Sequence, residues 1–431
     1  MPTEINLRSH GVTVAADGTP EPVLVEQIRR VSPDQSVRYV PVPTDEQYVT
    51  GTNVLQSADL ESPAVRARID AQRAWLSSGT IPGAETEFAD MAERALLDLD
   101  VLTAANGSVL ASPVTAWKYV WPRDASFVVA AFAVTDHPED ARSILGFLAE
   151  VAPDDGRWEA RYLSDGSGQA PDNRRPQFDG AGWVPWAVWV FAEATDDDVI
   201  VDETLTMMRR PVVTSANAIV DSLGSDDLPR PSSDYWERPE NDLTLGVVAP
   251  LSLGLHAAIE LAPRLGVDPS RWQDAADRLD AAIDRTFGVH GYPRYSPDGG
   301  HDAAVAFLSP PFAPASNRVR AALMETEAAL RVPNGGHKPG GDWNKDVDVA
   351  WTPETSMMAL AFAGFGDEDQ ARGLLGYLDA NRTALGALPE KVDSTPKPAS
   401  VAPLGWTCAL ILLTLAELDG DMPAMSPAPR P

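Results

Sequence analysis

The chain has 431 residues, 44% of them hydrophobic and 23% charged, a composition typical of a globular protein with a large core. Its 34 basic and 63 acidic residues give a net charge of -29, and this negative field disfavours nucleic acid and anionic lipid as partners. A single cysteine, Cys408, excludes an intrachain disulfide, and the six histidines show no metal-ligand spacing. We therefore expect neither a metal centre nor a cofactor.

The first 84 residues mix strand and helix patterns. The segments at 22–31 and 37–43 are apolar enough for short strands, and the segment at 62–79 has helical periodicity. With few aromatic residues, this part would form only a thin core by itself, so we predict an extension, 1–84, that wraps the domain after it. No apolar signal core begins the chain and no run of about 18 apolar residues occurs, so we expect a cytoplasmic protein without a membrane span, unless an export signal has been removed.

From residue 85 onward, apolar-periodic segments of helical length alternate with loops rich in Gly, Pro and Asp. Some helices, such as 180–194 and 403–418, are apolar nearly all round, whereas 270–287 is amphipathic, and this alternation indicates inner helices wrapped by outer ones. We predict one domain over 85–420 and a disordered Pro-rich tail over 421–431. The twelve predicted helices span 85–105, 123–135, 137–151, 180–194, 200–223, 244–262, 270–287, 302–309, 317–331, 352–365, 368–381 and 403–418.

The composition of the loops indicates where the functional site lies. Those assigned to leave the outer helices are short, whereas five others are long and rich in Trp, Arg, Asp and Glu, at 112–126, 154–183, 229–244, 334–351 and 388–406. Indole faces pack on the apolar face of a sugar ring while charged groups bind its hydroxyls. Each feature alone has a structural explanation: Asp124 could cap a helix, Glu237 could lie in a solvated turn, and Glu390 could pair with a neighbouring lysine. Their joint occurrence favours a sugar site.

Six segments carry a resemblance to a known family. They are YVWPRDAS (119–126), RRPQFDGAGW (174–183), DYWERPENDLTLGVVAPLSLGLHAA (234–258), HDAAVAFLSPPF (301–312), GGDWNKDVDVAWTPETSMMALA (340–361) and LPEKVDSTPKPASVAPLGWTCA (388–409). In this order and spacing the chain resembles the glucoamylase family of glycoside hydrolases, family 15, with its glucodextranase and trehalase relatives. The resemblance covers roughly residues 85 to 418 and implies an all-α fold, an (α/α)6 toroid of about twelve helices.

The resemblance implies an exo-acting, inverting hydrolase that releases a terminal sugar, expected to be glucose, from an α-glucoside or α-glucan oligosaccharide. Glu237 would be the general acid, since its aromatic neighbours disfavour the charged form, and Glu390 in a more polar loop would be the general base. An inverting pair stands roughly 6.5–9.5 Å apart with a water between. The implied substrate contacts are Trp121, Arg123, Asp124, Asp179, Asp234, Trp236, Lys338, Trp343 and Trp406.

Two departures from the family bear on the substrate. Lys338 stands where arginine is common, and Arg238 follows Glu237 where fungal glucoamylases have an acidic residue. A carbohydrate-binding toroid without catalysis remains an alternative, as does a trehalase, phosphorylase or lyase on the same scaffold. Glu390 would repel the phosphate that a phosphorylase needs, and an acidic site disfavours a lyase acting on uronates. The sequence indicates neither the linkage nor the oligomeric state.

Overall fold

The computed structural model describes residues 3–15, 17–31, 35, 37–423 and 425. Its α-helices are α1 (Pro63–Leu76), α2 (Ala89–Leu102), α3 (Pro122–Val134), α4 (Pro138–Val151), α5 (Gly180–Ala194), α6 (Asp198–Ser222), α7 (Leu245–Leu265), α8 (Ser270–Thr286), α9 (Asn317–Leu330), α10 (Thr352–Gly364), α11 (Glu368–Ala380) and α12 (Gly405–Asp419). Short 3₁₀ helices span Thr115–Trp117, Gly288–His290 and Ala303–Leu308.

Two concentric rings of helices form the main body. The inner ring runs α3, α5, α7, the 3₁₀ helix Ala303–Leu308, α10 and α12, each packed on the next, and α12 closes the ring against α3. Each inner element also packs against one outer helix, and the outer ring consists of α2, α4, α6, α8, α9 and α11. The predicted (α/α)6 toroid is therefore confirmed.

Helix composition explains which ring each helix joins. Every residue of α5 from Gly180 to Ala192 is buried, as an inner helix with neighbours on all sides requires. The outer α8 buries one face, with Trp272, Leu279 and Ile283 spaced at helical intervals. Among the described residues, α7 is the one helix long and apolar enough to match a membrane span, but 83% of its apolar window lies buried within the toroid. That burial is typical of a core helix.

Two expectations about this body were wrong. The predicted helix 302–309 is a six-residue 3₁₀ helix, which begins where the Asp302 side chain accepts a hydrogen bond from the backbone N–H of Ala304. The consecutive Pro310 and Pro311 cannot supply the backbone donors that a longer helix needs. The long loops also leave the outer helices rather than the inner ones, and each leads into the start of an inner helix. Since the inner helices are parallel in such a ring, all these loops gather at one end.

The N-terminal extension forms two antiparallel hairpins and α1. Strands β1 (Ser9–Val14) and β2 (Pro20–Leu24) form one hairpin, and β3 (Gln27–Val31) and β4 (Val37–Pro41) form the other. The predicted strand at 22–31 is thus divided between two hairpins, and β1 was not predicted. A third, three-stranded sheet lies in the loops of the toroid, with β5 (Ala350–Trp351), β6 (Lys391–Val392) and β7 (Pro398–Ala399) in that order.

The extension lies directly on the toroid. Leu7 and Val25 are buried in one cluster with Ala387 and Ala402, and the side-chain amide of Asn53 donates to Asp98 at 2.8 Å. These contacts agree with a wrapping segment, although the domain boundary at residue 84 stays a prediction. At the other end, the tail predicted to be disordered starts with Met422 and Met425 buried. Residues 424 and 426–431 of that tail lie outside the described residues.

Candidate active site

A cavity of about 230 Å³ opens at the end of the toroid where the inner helices begin. Asp124 in the first turn of α3 and Glu354 in the first turn of α10 both contribute to its wall. Its functional lining comes from long loops and first turns of inner helices: Trp117, Trp121, Arg123, Asp124, Arg161, Arg174, Tyr235, Trp236, Glu237, Trp343, Trp351, Glu354, Glu390 and Trp406.

The structure gathers most of the predicted site residues around this cavity. Eight of the eleven line it: Trp121, Arg123, Asp124, Trp236, Glu237, Trp343, Glu390 and Trp406. Asp179 and Asp234 lie behind the wall and contact residues that form it. Lys338 lies outside the lining and is half-buried, with its backbone N–H bonded to the carbonyl oxygen of Leu330 at 3.1 Å. The wall instead contains arginines that were not predicted.

Glu237 lies at the end of a tight turn. Its backbone N–H donates to the carbonyl oxygen of Asp234 at 2.8 Å, and its φ of 54° is in the left-handed region. The indole N–H of Trp121 donates to one oxygen of the Glu237 carboxylate, and the guanidinium of Arg174 donates to the other. The side chain keeps 25% of its area exposed. A left-handed residue with a Cβ costs about 1–3 kcal/mol, so neighbouring contacts must hold this turn.

Arg294 is the centre of the network that holds the turn. It is 1% exposed and its guanidinium bonds Asp234 at 2.9 Å and Asp302 at 2.8 Å. The guanidinium also stacks 3.6 Å from the centroid of the Trp236 ring. Asp234 in turn accepts a hydrogen bond from the backbone N–H of Trp236 at 3.0 Å. Nothing in the sequence around Arg294 signalled this role, because its partners are 8 and 60 positions away.

Glu390 lies in the loop between α11 and α12 and is 8% exposed. Its carboxylate accepts hydrogen bonds from the indole N–H of Trp117 at 3.3 Å and from the hydroxyl of Ser400. Lys391, expected beside this carboxylate, instead stacks 3.8 Å from the ring centroid of Trp351. Neutral hydrogen-bond donors therefore take the place expected for lysine beside this carboxylate.

The N-terminal extension supports the loop of Glu390. The backbone N–H of Arg8 donates to the carbonyl oxygen of Ser400 at 2.8 Å, so the extension pairs with the residue that bonds Glu390. The guanidinium of Arg8 also stacks 5.2 Å from the ring centroid of Trp117, the other donor to Glu390. The extension thus contacts both groups that orient this carboxylate.

Arg123, Asp124 and Asp179 form a buried charged cluster on another side of the cavity. Arg123 contacts Asp124 at 3.3 Å and Asp179 at 3.4 Å, and it stacks 4.6 Å from the ring centroid of Trp406. Burial raises the pKa of Asp124 to about 6, although the charge of Arg123 opposes the shift, and the pKa of Asp179 is likewise raised to about 6. The cluster offers both donors and acceptors to a ligand with hydroxyl groups.

Comparison with known proteins shows where this fold occurs. No family model matches the chain. An uncharacterized glycosyl hydrolase of Methanocaldococcus jannaschii is 23% identical over 363 residues, which cover 76% of this chain and 55% of the relative, so the chain spans about half the length of that protein. A solved glycosidase variant in complex with glucose is 20% identical, with a TM-score of 0.66 over 78% of this chain and 99% of its own. A bacterial glucoamylase complexed with acarbose is 17% identical, with a TM-score of 0.66 over 84% of this chain and 60% of its own.

The chain has the fold of the glucoamylase-like glycosidases. A family 15 glucoamylase from Hypocrea jecorina extends the likeness at 16% identity, with a TM-score of 0.59 over 76% of this chain and 69% of its own. The glucoamylase-like toroid agrees with the fold implied by the six sequence segments.

Several lining residues of this glucoamylase-like toroid were not predicted. They are Trp117, Arg161, Arg174, Trp351 and Glu354. Glu354 is 4% exposed, and its Oε2 atom has no hydrogen-bond partner within the described part of the chain. Burial, with the charge of Glu390 as a further cause, raises the pKa of Glu354 to about 8. The sequence placed Glu354 in the first turn of a helix, where an acidic residue is common. Only the closed ring of helices in the structure shows that it lies beside Glu390.

Proposed function

We propose that this chain is an exo-acting, inverting glycoside hydrolase that releases a terminal sugar, glucose, from an α-glucoside or α-gluco-oligosaccharide. The observation that carries this proposal is that two glutamates, Glu237 and Glu390, line one cavity with indole rings and a buried Arg–Asp cluster. They are 153 positions apart in the chain (390 minus 237). Two carboxyl groups brought to one sugar-sized cavity are what glycoside hydrolysis requires.

Glu237 is assigned the general acid. In its protonated form it gives its proton to the glycosidic oxygen, so the leaving group departs as a neutral alcohol. The indole N–H of Trp121 contacts the carboxyl group of Glu237 and supports its orientation, and the turn held by Arg294 limits its movement. The preorganised position lowers the entropy cost of reaching the glycosidic oxygen.

Glu390 is assigned the general base. It accepts a proton from a water molecule while the oxygen of that water attacks the anomeric carbon from the side opposite the leaving group. Attack from the opposite side inverts the configuration, so an α-glucoside yields β-glucose. The hydrogen bonds from Trp117 and Ser400 orient the carboxylate for this step.

The cluster of Arg123, Asp124 and Trp406 supports exo action. These residues are buried and belong to the first turns of α3 and α12, so we assign them to the closed end of the cavity, where a terminal sugar would lie. Hydroxyl groups of a terminal sugar would bond the charged pair, and the indole would pack on the sugar ring. The neighbours solved with glucose and with acarbose support a glucose unit in the substrate.

The test uses two variants and two substrates. Glu237→Gln should lose at least about 100-fold in kcat on maltose but retain more activity on a nitrophenyl α-glucoside, because an acidic phenol needs little protonation. Glu390→Gln should lose activity on both substrates. Glu325→Gln, at an exposed position of α9, is the matched control and should behave as the unchanged protein.

The stereochemistry gives an independent test. Proton NMR within the first minutes should show β-glucose before mutarotation mixes the anomers. Initial α-glucose would mean retention and would overturn the assignment of one acid, one base and one water. Equal loss on both substrates for Glu237→Gln would overturn the assignment of the acid.

A further inference from the structure

Two guanidinium groups besides Arg123, those of Arg161 and Arg174, line the cavity that contains Glu237, and a third, that of Arg238, belongs to the next residue in the chain. Arg161 and Arg174 both bond the carboxylate of Asp172, and Arg174 also contacts Glu237. Arg238 stacks 4.1 Å from the ring centroid of Trp343, which lines the cavity. Two of these groups therefore share one carboxylate, and the third has an aromatic rather than an acidic neighbour.

Arg238 lacks a counter-charge. In the described part of the chain its hydrogen-bond partner is the neutral side-chain amide of Asn344 at 3.4 Å, and no carboxylate lies within ion-pair distance. Its nearest charged neighbours are Arg294 and Glu240, and Glu240 already bonds Arg294 at 2.7 Å. Partial burial, and then the charge of Arg294, lower the pKa of Arg238 from its ordinary value. An uncompensated guanidinium in such a place is suited to an anionic ligand.

The charge balance shifts further when Glu237 holds the proton that it donates. A neutral Glu237 leaves Arg161 and Arg174 sharing Asp172 alone, a surplus of one positive charge (two minus one), and Arg238 has no ion-pair partner of its own in the described part of the chain. This local surplus contrasts with the net charge of -29 of the whole chain. It contrasts as well with the Arg123 cluster, where one guanidinium meets two carboxylates.

This positive charge lies on the side of the glycosidic bond from which the leaving group departs. A general acid must face the glycosidic oxygen, which becomes part of the leaving group. Arg174 contacts that acid and Arg238 follows it in the chain. The terminal sugar, in contrast, is assigned to the wall formed by Arg123 and Asp124.

We propose that the natural leaving group carries an anion, a carboxylate or a phosphate, which Arg174 and Arg238 bind. This inference rests on the proposed function, since it names the substrate class of the same site. The anion takes the place of Glu237 beside Arg174, so after Glu237 is protonated this guanidinium still has an anionic partner besides Asp172, which it shares with Arg161. Once Glu237 has given up its proton, its carboxylate competes for Arg174 again and favours release of the anionic product.

The experiment compares glucosides that differ at one group of the leaving group. Glucosyl-(α1→4)-sorbitol is neutral, glucosyl-(α1→4)-gluconate carries a carboxylate, and glucosyl-(α1→4)-sorbitol phosphorylated at its terminal carbon carries a phosphate. We expect kcat/KM for at least one anionic substrate to exceed that for the neutral one about 10-fold or more at low salt. The anionic substrate with the higher kcat/KM identifies whether the site prefers a carboxylate or a phosphate. Salt at about 0.5 M should reduce the ratio of anionic to neutral kcat/KM.

Variants assign the preference to the two arginines. Arg238→Gln and Arg174→Gln should each reduce the anionic-to-neutral ratio at least about 5-fold, whatever they do to the rate on the neutral substrate. Arg271→Gln removes an arginine of α8 that is paired with Asp221 and 59% exposed, and it should leave the ratio unchanged. A ratio near one in the unchanged protein, or an anionic preference that both site variants retain, would overturn the proposal.

A binding measurement separates this inference from the proposed function. If no glucoside is hydrolysed, including the nitrophenyl one, the hydrolase assignment fails. Calorimetric titration with gluconate, sorbitol 6-phosphate and sorbitol still tests the anion site. Binding of an anionic polyol that is tighter than that of sorbitol and weakened by Arg238→Gln supports the site, whereas equal binding of all three refutes it.

Discussion

Replacing Glu354 with glutamine should change how the stability of the protein depends on pH. Burial raises the pKa of this carboxyl from its ordinary value of 4.5 to about 8 in the folded chain. Between these two values the folded state holds a proton that the unfolded state has lost, so folding becomes less favourable as pH rises. The stability that this carboxyl contributes is highest at pH values below its pKa in the unfolded chain. It is lost as the pH rises toward its pKa in the folded chain.

The magnitude follows from the size of the shift. Each pH unit over which only the folded state holds the proton removes about 1.4 kcal/mol, so about 4 kcal/mol of unfolding free energy is lost between about pH 5 and pH 8. Glutamine resembles the protonated carboxyl in shape and carries no charge at any pH. Glu354→Gln should therefore match the unchanged protein within about 1 kcal/mol at pH 5 and exceed it by about 3 kcal/mol at pH 9.

Urea unfolding followed by tryptophan fluorescence at pH 5, 7 and 9 measures this difference. Asp124 and Asp179, with pKa values raised to about 6, lose stability in the same direction, but they are present in both proteins and cancel in the comparison. The exposed Glu325→Gln variant should follow the unchanged protein at each pH. If Glu354→Gln changed the unfolding free energy equally at pH 5 and pH 9, Glu354 would be ionised throughout, and burial would not raise its pKa as described.

Four further outcomes are expected. Arg294→Met leaves the buried carboxylates of Asp234 and Asp302 without a counter-charge, so it should lower the free energy of unfolding by about 3–5 kcal/mol in urea titration, and a loss below about 1 kcal/mol would contradict the network. Ser400→Ala removes a hydroxyl donor to Glu390 and should lower kcat about 10- to 100-fold with little change in KM; a change confined to KM would argue against this role. Removal of residues 1–8 deletes Arg8, which contacts both Ser400 and Trp117, so kcat should fall more than thermal stability, and an undiminished kcat would refute this supporting role. Limited proteolysis should release no stable fragment of residues 1–80, and recovery of such a fragment would make the extension an independent domain.

Ring membership could be predicted from the sequence because helix periodicity is local. A helix that is apolar on every side, such as α5, has to be surrounded, and one with a single apolar stripe, such as α8, has to lie outside. The glutamine and glycine pattern before α5 and the tryptophan before Glu237 identified the loops that form the site. The 3₁₀ helix at 303–308 was less predictable, since six apolar residues fit either kind of helix until the following prolines are weighed.

What the sequence by itself determined is therefore the all-α architecture and the identity of the two glutamates as candidates, since both depend on patterns within a few turns of chain. The tertiary structure alone decided which charges meet. Arg294 reaches Asp234 across 60 positions, and Arg174 reaches Glu237 across 63. It also decided that Glu354 is buried beside Glu390 and that Lys338 lies outside the cavity. Electrostatic interaction depends on distance in space and on exclusion of water, and neither is set by position along the chain until the ring has closed.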